Sequence, residues 1–144
     1  MILDPAGHIR IAVLDLRNSM FFYGALFEKL GYIQVREEAW VTPHGLGFWL
    51  IQAEDLSQKH MHGTPGLHHF CFRARERSDI DQIYQFLLEM KTKIVHPPEE
   101  GPWGPGYYSV LFEDPDGIRI EVNHAPGRGV LEEGKSFNPA GDYK

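Results

Sequence analysis

Asp114-Pro-Asp-Gly-Ile-Arg-Ile-Glu-Val-Asn123 is the stretch whose reading decides the fold. It opens as a tight polar turn, with Pro115 and Gly117 supplying the backbone angles that a turn requires. Beyond the turn, Ile118, Ile120 and Val122 alternate with Arg119, Glu121 and Asn123, the two-residue period of a strand with one face on a core. The other face is polar and carries an acid, Glu121, near its middle. That face acquires a purpose if histidines from elsewhere converge on it. Two segments offer them: Gly7-His-Ile-Arg-Ile-Ala-Val13 and Leu67-His-His-Phe-Cys-Phe72 each present histidine at the mouth of an expected strand. Two histidines and a glutamate make a metal site.

The bulk properties narrow the classes of function. A chain of 144 residues is long enough for one domain, or two small halves sharing a core, without covalent staples. Its formal charge of −6 and lack of a basic run argue against nucleic acid as a partner and point to a small molecule. The single cysteine, Cys71, excludes an intramolecular disulfide, so the expected location is the cytoplasm. No stretch approaches the ~20 apolar residues of a membrane span, so no membrane is expected as a partner.

The remaining elements follow from period and punctuation. His8 to Asp15 reads as a strand, with Ile9, Ile11 and Val13 on one face and His8 on the other. Asp15 and the residues after it supply N-cap chemistry for a helix to about Leu30, whose stripe is Phe22, Leu26 and Leu30; Gly31 closes it. Three short strands follow: Tyr32 to Glu37, Ala39 to Thr42, and Phe48 to Ala53. After a polar connector the order restarts, with a strand from Leu67 to Ala74 and a helix capped by Ser78-Asp79 that runs to about Lys91. Extended segments at Thr92 to His96 and Tyr107 to Glu113 then lead, through a loop at Pro97 to Gly106, into the final turn and strand. The fold class is α+β, built from two βαβββ modules. The first occupies residues 1–53, a linker 54–66, the second 67–124, and a C-terminal arm 125–144.

This duplication, with a histidine-bearing first strand, the Phe21-Phe-Tyr23 and Leu30-Gly31 features of the first helix, and Asp114-Pro-Asp-Gly117 followed by Glu121, resembles the vicinal oxygen chelate superfamily. That group contains glyoxalase I, extradiol dioxygenases, fosfomycin-resistance proteins and bleomycin-binding proteins. The resemblance, from about Gly7 to Asn123, implies paired modules in an open, curled mixed sheet around a central cavity that holds one divalent metal ion: iron, manganese, nickel or zinc. It carries His8, His69 and Glu121 over as the metal ligands. His69 is favoured over His68 because a histidine followed by apolar, small and apolar residues fits His69-Phe-Cys-Phe. His68 is then a packing or supporting residue. A homodimer is the implied assembly.

The fourth ligand position decides the chemistry. Glyoxalase I has a second glutamate on its fourth strand, where this chain has Phe48-Trp-Leu-Ile-Gln-Ala53. If Trp49 and Ile51 pack on the first helix, Gln52 faces the metal; if Phe48 and Leu50 pack, it does not. A glutamine is a poor proton acceptor in either case, which weakens a simple glyoxalase assignment. With three ligands, the metal is open to a substrate bound through two adjacent oxygens, for lyase, isomerase or extradiol-type dioxygenase chemistry. Glu121 is the expected catalytic group, able to relay a proton, with Arg119, Tyr107 and Trp103 as substrate-binding residues. His124 is a candidate supporting or rim group. The alternative is a metal-free, ligand-sequestering protein of the bleomycin-resistance kind.

Overall fold

The computed structural model describes residues 7–43 and 45–126. Among them are β1 (His8–Val13), α1 (Leu16–Lys29), β2 (Ile33–Arg36), β3 (Ala39–Val41), β4 (Gly47–Gln52), β5 (Phe70–Arg73), α2 (Arg77–Glu89), β6 (Lys93–Glu100), β7 (Tyr108–Glu113) and β8 (Arg119–His124). Both halves therefore run β-α-β-β-β, as the periodicity predicts. The strands form two four-stranded sheets, ordered β1-β4-β3-β2 and β5-β8-β7-β6. In each sheet the first strand of the module pairs parallel with the last, and the other pairings are antiparallel. No described helix is long and apolar enough to cross a membrane. The expected arm beyond Pro126, with Arg128, Phe137 and Tyr143, lies outside the described residues.

The described chain divides into two compact units. One runs to Met61 and includes Pro115–Gly117; the other holds His62–Asp114 and resumes at Ile118. In the first, the Asp15 carboxylate accepts from Asn18 N at 3.0 Å and starts α1. Gly31, at φ +80°, ends it. The buried stripe of α1 is broader than Phe22 and Leu26 alone, because Ser19, Tyr23 and Phe27 are buried too, whereas Leu30 is only half-buried. Phe27 is the centre of this core, with its ring 4.9 to 5.5 Å from those of Tyr23, Tyr32, Trp40 and Phe48.

In the second unit α2 starts two to three residues earlier than Ser78-Asp79 suggests. Glu76 is the extended N-cap residue, and the Asp79 carboxylate accepts from its backbone N–H at 3.0 Å. Ile80, Ile83 and Leu87 are buried in a core with Val110, Phe112, Ile120 and Val122. Strand β6 also differs from expectation, running through Pro97 and Pro98 to Glu100 where a loop was predicted. It is the edge of its sheet, and register shifts on either side of His96 accommodate residues that lack an N–H to donate.

The Asp-Pro-Asp-Gly turn does more than reverse the chain. Asp114 Oδ1 accepts from Ile118 N at 2.7 Å, closing the turn on itself. Asp116 Oδ2 accepts from Leu14 N at 2.7 Å, and its backbone oxygen accepts from His60 N at 3.1 Å. Lys59 Nζ adds a bond to Pro115 O at 2.9 Å. Gly117 sits at φ +89°, a backbone conformation that L side chains rarely adopt, so its conformation calls for glycine.

Asp116→Ala strands the Leu14 donor and is expected to lower the unfolding free energy by about 1–3 kcal/mol in urea titrations, with Asp116→Asn, which keeps an acceptor oxygen, losing less. Burial raises the Tyr32 phenol from 10.0 to about 12. The unfolded chain then gives up this proton at lower pH than the folded one, so stability is intact below pH 10 and falls as the pH climbs toward 12. The urea midpoint should decline across that window, and Tyr32→Phe should make the decline shallower.

Candidate metal centre

The second unit gathers the polar side chains by strand parity. Ile120 and Val122 face the α2 core, so Arg119, Glu121 and Asn123 take the opposite face. Register adds Cys71 and Arg73 of β5 and Ser109, Leu111 and Glu113 of β7 to that face. His69 stands immediately before β5 and brings its Nε2 within 3.1 Å of Glu121 Oε2. The Tyr107 hydroxyl donates to the other oxygen, Oε1, at 2.5 Å. Asn123 Nδ2 in turn donates to the Tyr107 hydroxyl at 3.0 Å, fixing its direction. Glu121 is 8% exposed, so each of its oxygens meets a partner where water is scarce. Burial, above all, pushes the Tyr107 phenol up, which keeps it a proton donor to the carboxylate.

Behind His69 lies a run of imidazoles. His68 Nδ1 and His69 Nδ1 are 2.6 Å apart, so one donates to the other. The His68 ring also meets His62 edge-on at 4.7 Å between centroids, and His62 Nε2 accepts from Arg119 Nη1 at 2.8 Å. Which of the two nitrogens donates depends on the tautomers of the two rings.

The donor chemistry fits a divalent ion. An imidazole nitrogen and a carboxylate oxygen suit iron, manganese, nickel or zinc. Their 3.1 Å separation is close to the roughly 3 Å that neighbouring ligands subtend at right angles on bonds of about 2.1 Å. Among the described residues no group of three or more histidine, cysteine or acidic side chains is gathered closely enough to hold an ion. Within the second unit, His69 and Glu121 are thus the two expected ligands that the fold brings together.

The third expected ligand, His8, is on the first unit, exposed at the start of β1 with its ring 5.1 Å from that of Trp49. The parity of β4 resolves the alternatives for Gln52. Phe48 and Leu50 are buried on the α1 side, and Gln52 shares their side. Its amide nitrogen donates to the Val13 and Leu14 carbonyls at 3.1 and 2.7 Å, tying β4 to the end of β1. The β4 residues on His8's side are Gly47, Trp49 and Ile51, and none is a carboxylate.

The other expected residues take different positions. The Arg119 guanidinium bonds His62, and its Nε lies 3.7 Å from Glu113 Oε1. Trp103 is 65% exposed, and Gly101 lies between it and Tyr107: a Cβ there would fall 2.9 Å from Trp103 Cδ1 and 3.0 Å from Tyr107 Cδ1. His124 has the parity of Ile120 and Val122 and so faces away from Glu121. Cys71, opposite Glu121 in register, is exposed by area. Protein around its sulfur, and then the charge of Glu121, nevertheless push the thiol pKa up and keep it protonated. Asn123 is a participant that the sequence reading missed, although its place two residues after Glu121 on one strand face was the available signal.

Comparison with known proteins places this architecture. The uncharacterized protein YqjT of Bacillus subtilis strain 168 is 29% identical over 122 residues, covering 80% of this chain and 94% of that protein. A candidate glyoxalase from Bacillus halodurans superposes with a TM-score of 0.71 at 28% identity, covering 83% of this chain and 95% of that one. A glyoxalase/dioxygenase from Nostoc punctiforme shares the fold at a TM-score of 0.65 and 24% identity, over 88% of this chain and 98% of its own. The profile of one family matches residues 6–122, and on that match, with the two βαβββ modules, the chain belongs to the Glyoxalase/Bleomycin resistance protein/Dioxygenase superfamily.

Proposed function

We propose that this chain is a divalent-metal-dependent enzyme with His8, His69 and Glu121 as ligands, acting on a small substrate chelated through adjacent oxygens. The observation that carries this reading is the buried Glu121 carboxylate, with one oxygen 3.1 Å from His69 Nε2 and the other held by the Tyr107 hydroxyl. A surface ion pair needs no such support. A ligand does, because its lone pairs must already point where the ion will bind. When bound, the metal would polarise the substrate's oxygens as a Lewis acid or, as ferrous iron, supply dioxygen chemistry.

The chain's own residues do the remaining work. Tyr107, directed by Asn123, occupies Glu121 Oε1 and leaves Oε2 as the ligating atom. Glu121 would be the acceptor for a substrate proton, with the Tyr107 hydroxyl hydrogen-bonded to its other oxygen in either state. His68 fixes the ring of His69 through their shared Nδ1 contact. Apolar Trp49 and Ile51 stand on His8's side of β4, so that strand provides no second carboxylate for a glyoxalase I-type proton shuttle. This favours lyase or addition chemistry, or ring-opening dioxygenation, over isomerisation.

Protein purified anaerobically, without chelators or a histidine tag, should contain near-stoichiometric metal, and His69→Ala and Glu121→Ala should each lose it. Iron would direct substrate screening to catechol-like compounds; nickel, zinc or manganese would direct it to addition and lyase substrates. A wild-type chain that takes up none of these ions on incubation would overturn the proposal in favour of a metal-free sequestering protein. Tyr107→Phe should weaken metal binding by roughly 10–100-fold in calorimetric titration of the stripped protein, the usual effect of losing a partner that orients a ligand. Tyr108→Phe, which removes a bond to Asp81 at a distance from Glu121, should leave it unchanged.

A further inference from the structure

The registers of the first sheet align its residues in rows. His8 lies beside Gly47, Val41 and Ile33; the next row is Arg10, Trp49, Ala39 and Arg36; a third is Ala12 with Ile51. Trp40, Phe48 and Leu50 belong to the α1 core, so these rows make up the opposite face. That face carries one imidazole and two guanidinium groups and no carboxylate, in a chain whose formal charge is −6. Arg10 and Arg36 are exposed, and neither has a hydrogen bond or ion pair among the described residues. Arg119, the basic residue that the sequence singles out, is by contrast occupied by His62 and Glu113.

Arg10 is set apart from Arg36 by its neighbours. It follows His8 by two residues on the same side of β1, a Cα spacing of roughly 6.6 Å. Trp49, its partner across β4, leans away from it: the indole meets the His8 ring and lies over Gly47, where a Cβ would fall 2.1 Å from Trp49 Cζ3. The guanidinium is thus left open beside a proposed metal ligand, on an otherwise apolar stretch of Trp49, Ile51 and Ala12. A guanidinium presents paired N–H donors whose geometry matches a carboxylate.

We propose that Arg10 binds a substrate carboxylate, which makes the substrate class a small organic acid whose carboxylate lies a short carbon chain away from the two oxygens that meet the metal. This rests on His8 being a ligand of that metal. It adds a determinant of specificity at a position that the metal does not reach.

Two probes isolate the contribution of Arg10. L-lactate and L-malate share a hydroxyl next to a carboxylate, and malate carries one further carboxylate. Calorimetric titration of the manganese-loaded and the stripped wild-type protein with each, and with inorganic phosphate, should give malate an advantage over lactate of about 10-fold or more, the scale of a charge-assisted pair. Arg10→Gln should erase that advantage with manganese affinity and the circular dichroism spectrum unchanged, and Arg36→Gln should retain it. Equal binding of malate and lactate by the manganese-loaded wild type, or an advantage that survives Arg10→Gln, overturns the inference and leaves the metal proposal intact. Phosphate binding tighter than malate overturns the carboxylate assignment. Failure to bind any of manganese, iron, nickel and zinc, with an Arg10-dependent preference for malate still present, removes the metal proposal and upholds Arg10 as the carboxylate site.

Discussion

Burying a carboxylate is the constraint around which the second unit is arranged. Glu121 sits in the central part of β8, between strands that flank it on both sides, and little water reaches it. An ionised acid in such a place is tolerated only when both oxygens are satisfied. Tyr107 and His69 meet that demand, and each of them needs support in turn: Asn123 directs the phenol, and His68 fixes the imidazole. Gly101 belongs to the same chain of dependence, because a side chain there would collide with Tyr107. A polar network of this kind is strict about geometry, since removing one member leaves the next unpaired.

The order of elements was legible because each depends on local pattern. The alternation in β1 and β8, the stripes of α1 and α2, and the turn glycines are short-range signals, and the structure reproduces them. Details that depend on neighbours distant in sequence were not legible. Whether Gln52 faced the His8 side turned on which of two adjacent apolar pairs packed beneath α1, and the sequence offers Phe48 with Leu50 and Trp49 with Ile51 almost equally. The extension of β6 through two prolines was hidden because proline normally ends strands, and only its place at a sheet edge makes it acceptable. The cap of α2 was displaced because Asp79 acts as the third helical residue, reaching back to Glu76, rather than as the cap itself.

The candidate site divides along the same line. Glu121 stands on a strand whose parity can be counted, His69 stands immediately before another, and the fold brings the two into contact. The surroundings of the basic residues were harder to read. Arg119 shares a strand face with Glu121, which made it the natural choice on parity, but parity says nothing about what else lies within reach of a long side chain. Glu113, opposite Arg119 on β7, and His62, from the connector, both meet its guanidinium. Arg10 shows the converse. Nothing in its sequence neighbourhood distinguishes it, and its openness becomes visible only when the rows across four strands are laid out and no acid is found among them.

The turn that launches β8 links these observations. Its flanking residues, Asp114 and Ile118, bond each other within the second unit, while Pro115 and Asp116 accept from Lys59, His60 and Leu14 of the first. Leu14 directly follows the strand that carries His8 and Arg10, and Gln52 bonds the carbonyl of the same residue. The backbone at the end of β1 is therefore held by donors and acceptors from β4 on one side and from the turn on the other. Glu121 lies four residues beyond the turn glycine, so a shift of one residue at the turn would move it to the face occupied by Ile120 and Val122. The tightness of the Asp-Pro-Asp-Gly turn is thus a condition on the site as well as on the fold. It sets which face of β8 the acid occupies.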